Sequence, residues 1–212
     1  MKIALINEFS QAAKNAEIYE SLKKEAEKAG HTVDNYGMFG ADDPHKMTYV
    51  KNGLLASILL NSKAADFVVT GCGTGQGALI ACNSFPGVIC GHVTNPLDAY
   101  LFGQINAGNC VSIPYAQNYG WGGQLNLDYI FEKLFSESFG GGYPKSGAAS
   151  QQANRKILNE VKAVTTHSLI EILNTLDPAF IQETIDYPAF RELFFKNCKD
   201  PQITEVLEKF LD

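Results

Sequence analysis

The sequence predicts an α/β fold, a three-layer α/β/α sandwich around a five-stranded parallel sheet, with a small all-α extension at the C-terminus. Three observations carry this. Short apolar runs alternate with segments of helical period through residue 135, the pattern of βαβ units whose sheet is covered on both faces. Three consecutive glycines at 140–142 then interrupt the alternation. Beyond them every periodic segment reads as helix. The expected division is an α/β domain over residues 1–147 and a helical extension over 148–212.

Residues 1–7 read as a buried strand closed by Asn7 and Glu8. A helix follows over 11–29, with Ala16, Tyr19, Leu22 and Ala26 on one face and Gly30 as its stop. Residues 31–36 form a second strand, 37–46 a Gly/Asp/Pro loop, and 47–62 a helix through Val50, Leu54, Ile58 and Leu59. The third strand, 66–70, runs into Gly71-Cys72-Gly73-Thr74-Gly75-Gln76-Gly77, and a short helix occupies 78–83. A fourth strand lies at 88–92. Asn95-Pro96 pairs an N-cap with proline at the first helical position, opening a helix to 107. The fifth strand is 110–113 and its helix 125–135. In the extension, short helices are expected over 151–164, 168–176, 179–186, 188–198 and 201–211, with Asp177-Pro178 and Asp200-Pro201 as cap and first-turn pairs.

The 212 residues are 45% apolar and 19% charged, against roughly 45–50% and 25% in ordinary globular domains. Such a chain can build a core. Its net charge is −6 and its only arginines are Arg155 and Arg191, which argues against a nucleic-acid partner. No apolar stretch reaches the roughly 18 residues of a membrane span, and no export signal is visible, so the expected location is cytoplasmic and no membrane is involved. The five cysteines, Cys72, Cys82, Cys90, Cys110 and Cys198, contain no C-x-x-C pair. No disulfide framework or metal site is expected, and all but Cys72 read as packing residues. His31, His45 and His167 have no metal-ligand spacing.

The segment from Gly71 to Gly77 is the most informative. Glycine lets the chain turn through positive φ and lets a ligand reach the amides closely, and amides at a helix N-terminus stabilise an anion or a developing oxyanion. A tight turn packing helix on sheet is the plain alternative. A phosphate-binding P-loop needs Lys-Ser/Thr after its last glycine, and none is present. A cysteine-phosphatase loop needs an arginine where the chain has Ala78. Gly73, Gly75 and Ala78 match G-x-G-x-x-G/A, but after the third strand and without the acidic residue a dinucleotide's ribose requires. Cys72 remains, at the lip of the loop, where amide dipoles favour a thiolate able to act as nucleophile or base. If the first and third strands are neighbours, this lip is a topological switch point, with Asn7 and Glu8 facing it.

The run from Ala65-Asp66-Phe67 through Cys72-Gly73-Thr74-Gly75-Gln76-Gly77 to Ala81-Cys82-Asn83 and Pro86-Gly87 resembles the ribose-5-phosphate isomerase B / galactose-6-phosphate isomerase family. Met1-Lys2-Ile3-Ala4, Pro96, Asn106 with Asn109, Tyr49 and Gly141-Gly142 add to the likeness, which covers residues 1–147. The resemblance implies a flavodoxin-like (Rossmann-like) sandwich and an aldose–ketose isomerase of a small sugar phosphate, working through a cis-enediolate without metal or other cofactor. Cys72 would shuttle the proton between C1 and C2, the Thr74 hydroxyl would assist ring opening, and the backbone amides of Gly73, Thr74, Gly75, Gln76 and Gly77 would hold the oxyanion. Glu8, Tyr49 and Asn106 complete the implied substrate contacts, with Lys145 the candidate contact where the family's clamp is replaced, in a homodimer or dimer of dimers whose sites are shared between subunits.

The chain also departs from that family. Its N-terminal Asp-His pair aligns with Glu8 and Phe9, its ring-opening histidine with Ile105, and its arginine phosphate clamp with Tyr143-Pro144-Lys145-Ser146-Gly147. These departures point to an open-chain substrate, a short sugar phosphate or a related small sugar. The competing readings are a catalytically silent sugar-phosphate sensor of the same fold and a nucleotide- or flavin-binding protein.

Overall fold

The computed structural model describes residues 1–211. Five parallel strands, β1 (Lys2–Leu5), β2 (Thr32–Asn35), β3 (Phe67–Cys72), β4 (Cys90–His92) and β5 (Cys110–Pro114), form one sheet in the order β2-β1-β3-β5-β4. This is the predicted sandwich, with β1 and β3 adjacent. It differs from the flavodoxin order 2-1-3-4-5 in its last two positions, because the chain passes to the edge at β4 and returns to lay β5 against β3.

Side-chain alternation along the strands sorts the core into two halves. Ile3, Leu5, Phe67, Val69, Val111 and Ile113 face α1 (Asn15–Lys28), α4 (Pro96–Leu101) and α5 (Gly123–Leu134). Ala4, Ile6, Val68 and Cys110 face α2 (Tyr49–Asn61) and α3 (Gln76–Ser84). With both faces covered, the strands read as continuous apolar runs.

Two helices differ from expectation. The helix expected over 11–29 begins as a 3-10 turn, Phe9–Lys14, because the Glu8 carboxylate caps it early by accepting from Ser10 N at 3.1 Å. The helix opened by Asn95-Pro96 widens into a π-turn at Phe102–Asn106 and stops at Ala107 with φ 45°. Gly140 N and Gly142 N donate to the carbonyls of Gly103 and Gln104 at 2.9 and 3.0 Å, so the widened segment is tied to the glycine cluster.

After the glycines comes α6 (Ala148–Thr165), longer than expected and with no buried residue. Then α7 (Leu169–Leu173), α8 (Pro178–Ile185), α9 (Pro188–Asn197) and α10 (Pro201–Glu208) fold back onto α2. Asp177 and Asp200 cap α8 and α10 as the Asp-Pro pairs predict. Leu173, Ile181, Phe190, Phe194 and Leu207 share one apolar cluster with Leu55, Ile58 and Leu59 of α2, and Phe190 stacks on Phe194 at 4.7 Å.

Phe190 is wholly buried, and Phe190→Ala is expected to lower stability by about 3–5 kcal/mol. Because its cluster is continuous with the sheet, chemical denaturation should shift as one transition. A second transition confined to the C-terminal helices would show that they fold separately.

Candidate active site

The crevice arises from unequal pairing of β3. With β1 the register ends at Leu5↔Val69, followed by one bond from Ile6 N to Val69 O at 3.0 Å. With β5 it continues to Cys72↔Pro114. Past Ile6 the chain bonds instead to the loop after β2, Asn7 N donating to Gly37 O and Met38 N to Asn7 O. Thr70 to Cys72 therefore lose their partner on the β1 side. A Cβ on Gly71 would come within 2.3 Å of Ile113 O and 2.4 Å of the Tyr115 ring, so only glycine lets β3 pass between its neighbours here. Cys72 follows directly, 8% exposed, its carbonyl accepting from Tyr115 N at 3.0 Å.

The loop beyond Cys72 is held from below. Gly75 takes φ +71° as the N-cap of α3, and a Cβ there would meet His92 Nε2 at 2.7 Å. The buried Ser112 hydroxyl donates to Gly75 O at 2.7 Å. His92 Nε2 lies 3.0 Å from Thr74 O, and Gln76 Nε2 lies 3.4 Å from His92 Nδ1. Those partners assign the ring proton to Nε2. The Thr74 hydroxyl accepts from Gln76 N at 3.3 Å, which leaves its own hydrogen free to donate. The other amides of the first turn of α3 have no preceding turn to bond to, so this end of the helix favours negative charge. Tyr49 opens α2 and walls the loop, its ring within 3.1 Å of where a Gly77 Cβ would sit.

The sequence-predicted residues fall into two groups. Tyr49, Cys72, Thr74 and the loop from Gly73 to Gly77 lie together at the carboxyl ends of the strands. Glu8 is at the same end but buried, and its Oε2 is engaged by Ser10 N and Ser10 Oγ. The wholly buried Asn7 leaves both side-chain atoms unpaired among the described residues. Asn106 and Lys145 do not join this group. Asn106 closes the π-turn that leads into the amino end of β5, and Lys145 pairs with Glu137 at 2.9 Å beside Gly141. Both lie at the far end of the sheet from Cys72 of the same chain.

Two residues near the crevice escaped the sequence reading or were left open by it. Lys14 donates to Tyr115 O and, at 2.9 Å, to Gln11 Oε1, and sits 4.2 Å from the Tyr119 ring centre. It is a cation next to the residue that bonds the Cys72 carbonyl, and burial lowers its pKa from the usual lysine range. Its three-residue spacing from Gln11 was the available signal. His92, which could have lined the site or merely packed, is the anchor of the loop. Cys72 lines none of the five surface cavities among the described residues. The largest, about 650 Å³, lies at the amino ends of the strands among Asn109, Arg155, Lys162 and His167. No helix among the described residues is long and apolar enough to cross a membrane.

Residues 3–133 match the family model described as Ribose/Galactose Isomerase, and residues 164–210 match a second, described as Ribose-5-phosphate isomerase. No curated protein matches the chain. Among solved structures it is similar to a 4-deoxy-L-threo-5-hexosulose-uronate ketol-isomerase complexed with a tartrate, at 53% identity over 99% of both chains with TM-score 0.97. It is also similar to a ribose-5-phosphate isomerase from Vibrio parahaemolyticus, at 51% identity over 100% of this chain and 99% of that one, TM-score 0.96. A ribose 5-phosphate isomerase from Thermotoga maritima shares the fold at 23% identity, covering 75% of this chain and 97% of its own, TM-score 0.58. Matched by the first model over more than half its length, the chain belongs to the ribose/galactose isomerase family, whose members are intramolecular oxidoreductases acting on sugars.

Proposed function

We propose that the chain moves a carbonyl between C1 and C2 of a small acidic sugar through a cis-enediolate, with Cys72 as the acid/base. The observation that carries this is the overhang of β3, which sets the Cys72 side chain at the start of an amide-lined loop. A proton beside a carbonyl is removable only if the resulting oxyanion is stabilised, and fixed backbone donors do that without reorganising. The Cys72 sulfur takes the proton from C2, and the carbonyl oxygen at C1 gathers charge against the loop amides. The sulfur then returns a proton to C1. Thr74, with its hydroxyl hydrogen free, serves the proton exchange between the two sugar oxygens. Tyr49 flanks the bound chain of carbons, and Asn7 and Glu8 close the β1 side.

The substrate we propose is open-chain and carries a carboxylate or phosphate. Ile105 cannot open a sugar ring by acid/base chemistry, and residues 143–147 hold one lysine and no arginine. A uronate in ketol form needs neither a ring opener nor a bidentate phosphate clamp, and one relative at 53% identity acts on such a compound by its name. We therefore place a hexosulose uronate ahead of ribose 5-phosphate. The shared site belongs to the same proposal. Asn106 and Lys145 reach a crevice only from a second copy of the chain, and α6 offers Ile157, Val161 and Val164 exposed on its surface as apolar area for a homodimer or dimer of dimers.

Cys72→Ala is expected to lower kcat by about 10²–10⁴ with little change in KM, measured by NMR on the favoured substrate. Retention of most of the activity would remove the cysteine from the mechanism. Gly75→Ala forces a side chain into positive φ and against His92, so about 1–3 kcal/mol of stability and a larger share of kcat than of KM should be lost. Assayed side by side, the uronate should turn over with higher kcat/KM than ribose 5-phosphate; the reverse order would restore the phosphate reading.

A further inference from the structure

Three cysteines outside the crevice converge. Cys82 comes from the last turns of α3, and Cys90 and Cys110 begin β4 and β5 as register partners. Their sulfurs all lie within 4.8 Å of one another, the only such group of three potential ligands among the described residues. Read one at a time along the sequence they are inert packing residues, and the isomerase chemistry uses none of them. Their placement is rigid. Asn83 Oδ1 accepts from Cys90 N at 3.0 Å and Asn83 Nδ2 donates to Cys90 O at 2.9 Å, locking α3 to β4 beside Cys82. Ile89 O accepts from Cys110 N at 3.2 Å, locking β4 to β5.

We propose that Cys82, Cys90 and Cys110 bind one thiophilic divalent cation of the zinc and cadmium class. A zinc–sulfur bond of about 2.3 Å puts thiolates about 3.8–4.0 Å apart in tetrahedral or trigonal coordination, within the span observed. Three thiolates and one divalent ion carry a net charge of −1, and a cation waits beside them. The Lys162 ammonium donates to the carbonyl of Asn83, next to Cys82. That lysine is partly desolvated, and burial lowers its pKa while the Cys82 sulfur acts in the opposite sense. Lys162, Ile89 and Asn109 all line the 650 Å³ cavity, which brings solvent to the residues preceding Cys90 and Cys110. Binding releases the three S–H protons to solvent and transfers no electron.

The bound ion would tie the far end of α3 to the sheet, and the near end of α3 is the Gly73–Gly77 loop. The test titrates reduced, metal-free full-length protein with Cd²⁺ and follows the ultraviolet charge-transfer absorption of cadmium thiolates. Saturation at one equivalent, with proton release and a raised Tm, is expected. Cys90→Ala should abolish the band, whereas Cys198→Ala and Cys72→Ala should keep it. Lys162→Met leaves the sulfurs in place and should weaken binding about 10–100-fold. A wild-type protein without the band, or a band lost in Cys72→Ala and kept in Cys90→Ala, would overturn the proposal. Since wild type alone gives a decisive answer, a poorly folding variant does not blunt the experiment.

Discussion

β3 is paired further along one edge than along the other, and the candidate site follows from that inequality. On the β5 side its backbone groups are satisfied as far as Cys72. On the β1 side they are released after Val69, because Asn7 turns toward the loop after β2. A parallel sheet offers its ligand-binding crevice where neighbouring strands part at their carboxyl ends, and here the parting lies between Asn7–Glu8 and Cys72. Gly71 makes it possible, since any side chain there would collide with β5 and Tyr115. Cys72, the proposed acid/base, is thus held by the central strand of the fold, and the loop proposed to supply the donors follows it directly.

A rigid loop matters as much as a placed sulfur. Ser112 from β5 and His92 from β4 each grip a carbonyl of the loop, so the two strands with exchanged order brace the same turn. Had β4 lain next to β3, as in the flavodoxin order, Ser112 would sit one strand further away. With the Thr74 and Gly75 carbonyls occupied from beneath, the turn is fixed, as oxyanion stabilisation without reorganisation would require under the proposed function.

The sheet, its helices and the Asn95 and Asp-Pro caps were legible because local period and cap chemistry determine them. The turn from β3 into α3 was legible because so many glycines at a strand's end allow the positive φ that Gly75 adopts. What the sequence concealed is tertiary. The π-turn at 102–106 depends on the glycines at 140–142, and Glu8 spends one carboxylate oxygen on a cap that advances its helix to residue 9. Lys14, the last residue of the 3-10 turn, meets Tyr115 only through the tertiary packing of that turn against the segment after β5. Asn106, counted with Cys72 on the family pattern, and Lys145, offered in place of the family's clamp, are separated from it by the length of the sheet. Cys82, Cys90 and Cys110 are spread over 29 positions and meet only through the strand register.

In the proposed reaction one sulfur, that of Cys72, carries the proton between adjacent carbons and exchanges it with water on the way. The most direct measurement runs the isomerisation in ordinary water with substrate deuterated at the carbon beside the carbonyl. A thiol with a single exchangeable hydrogen should lose a large part of the label to solvent, with a primary isotope effect on the step. Complete transfer of the label to the neighbouring carbon would show an internal hydride shift and contradict a role for Cys72 as the proton carrier.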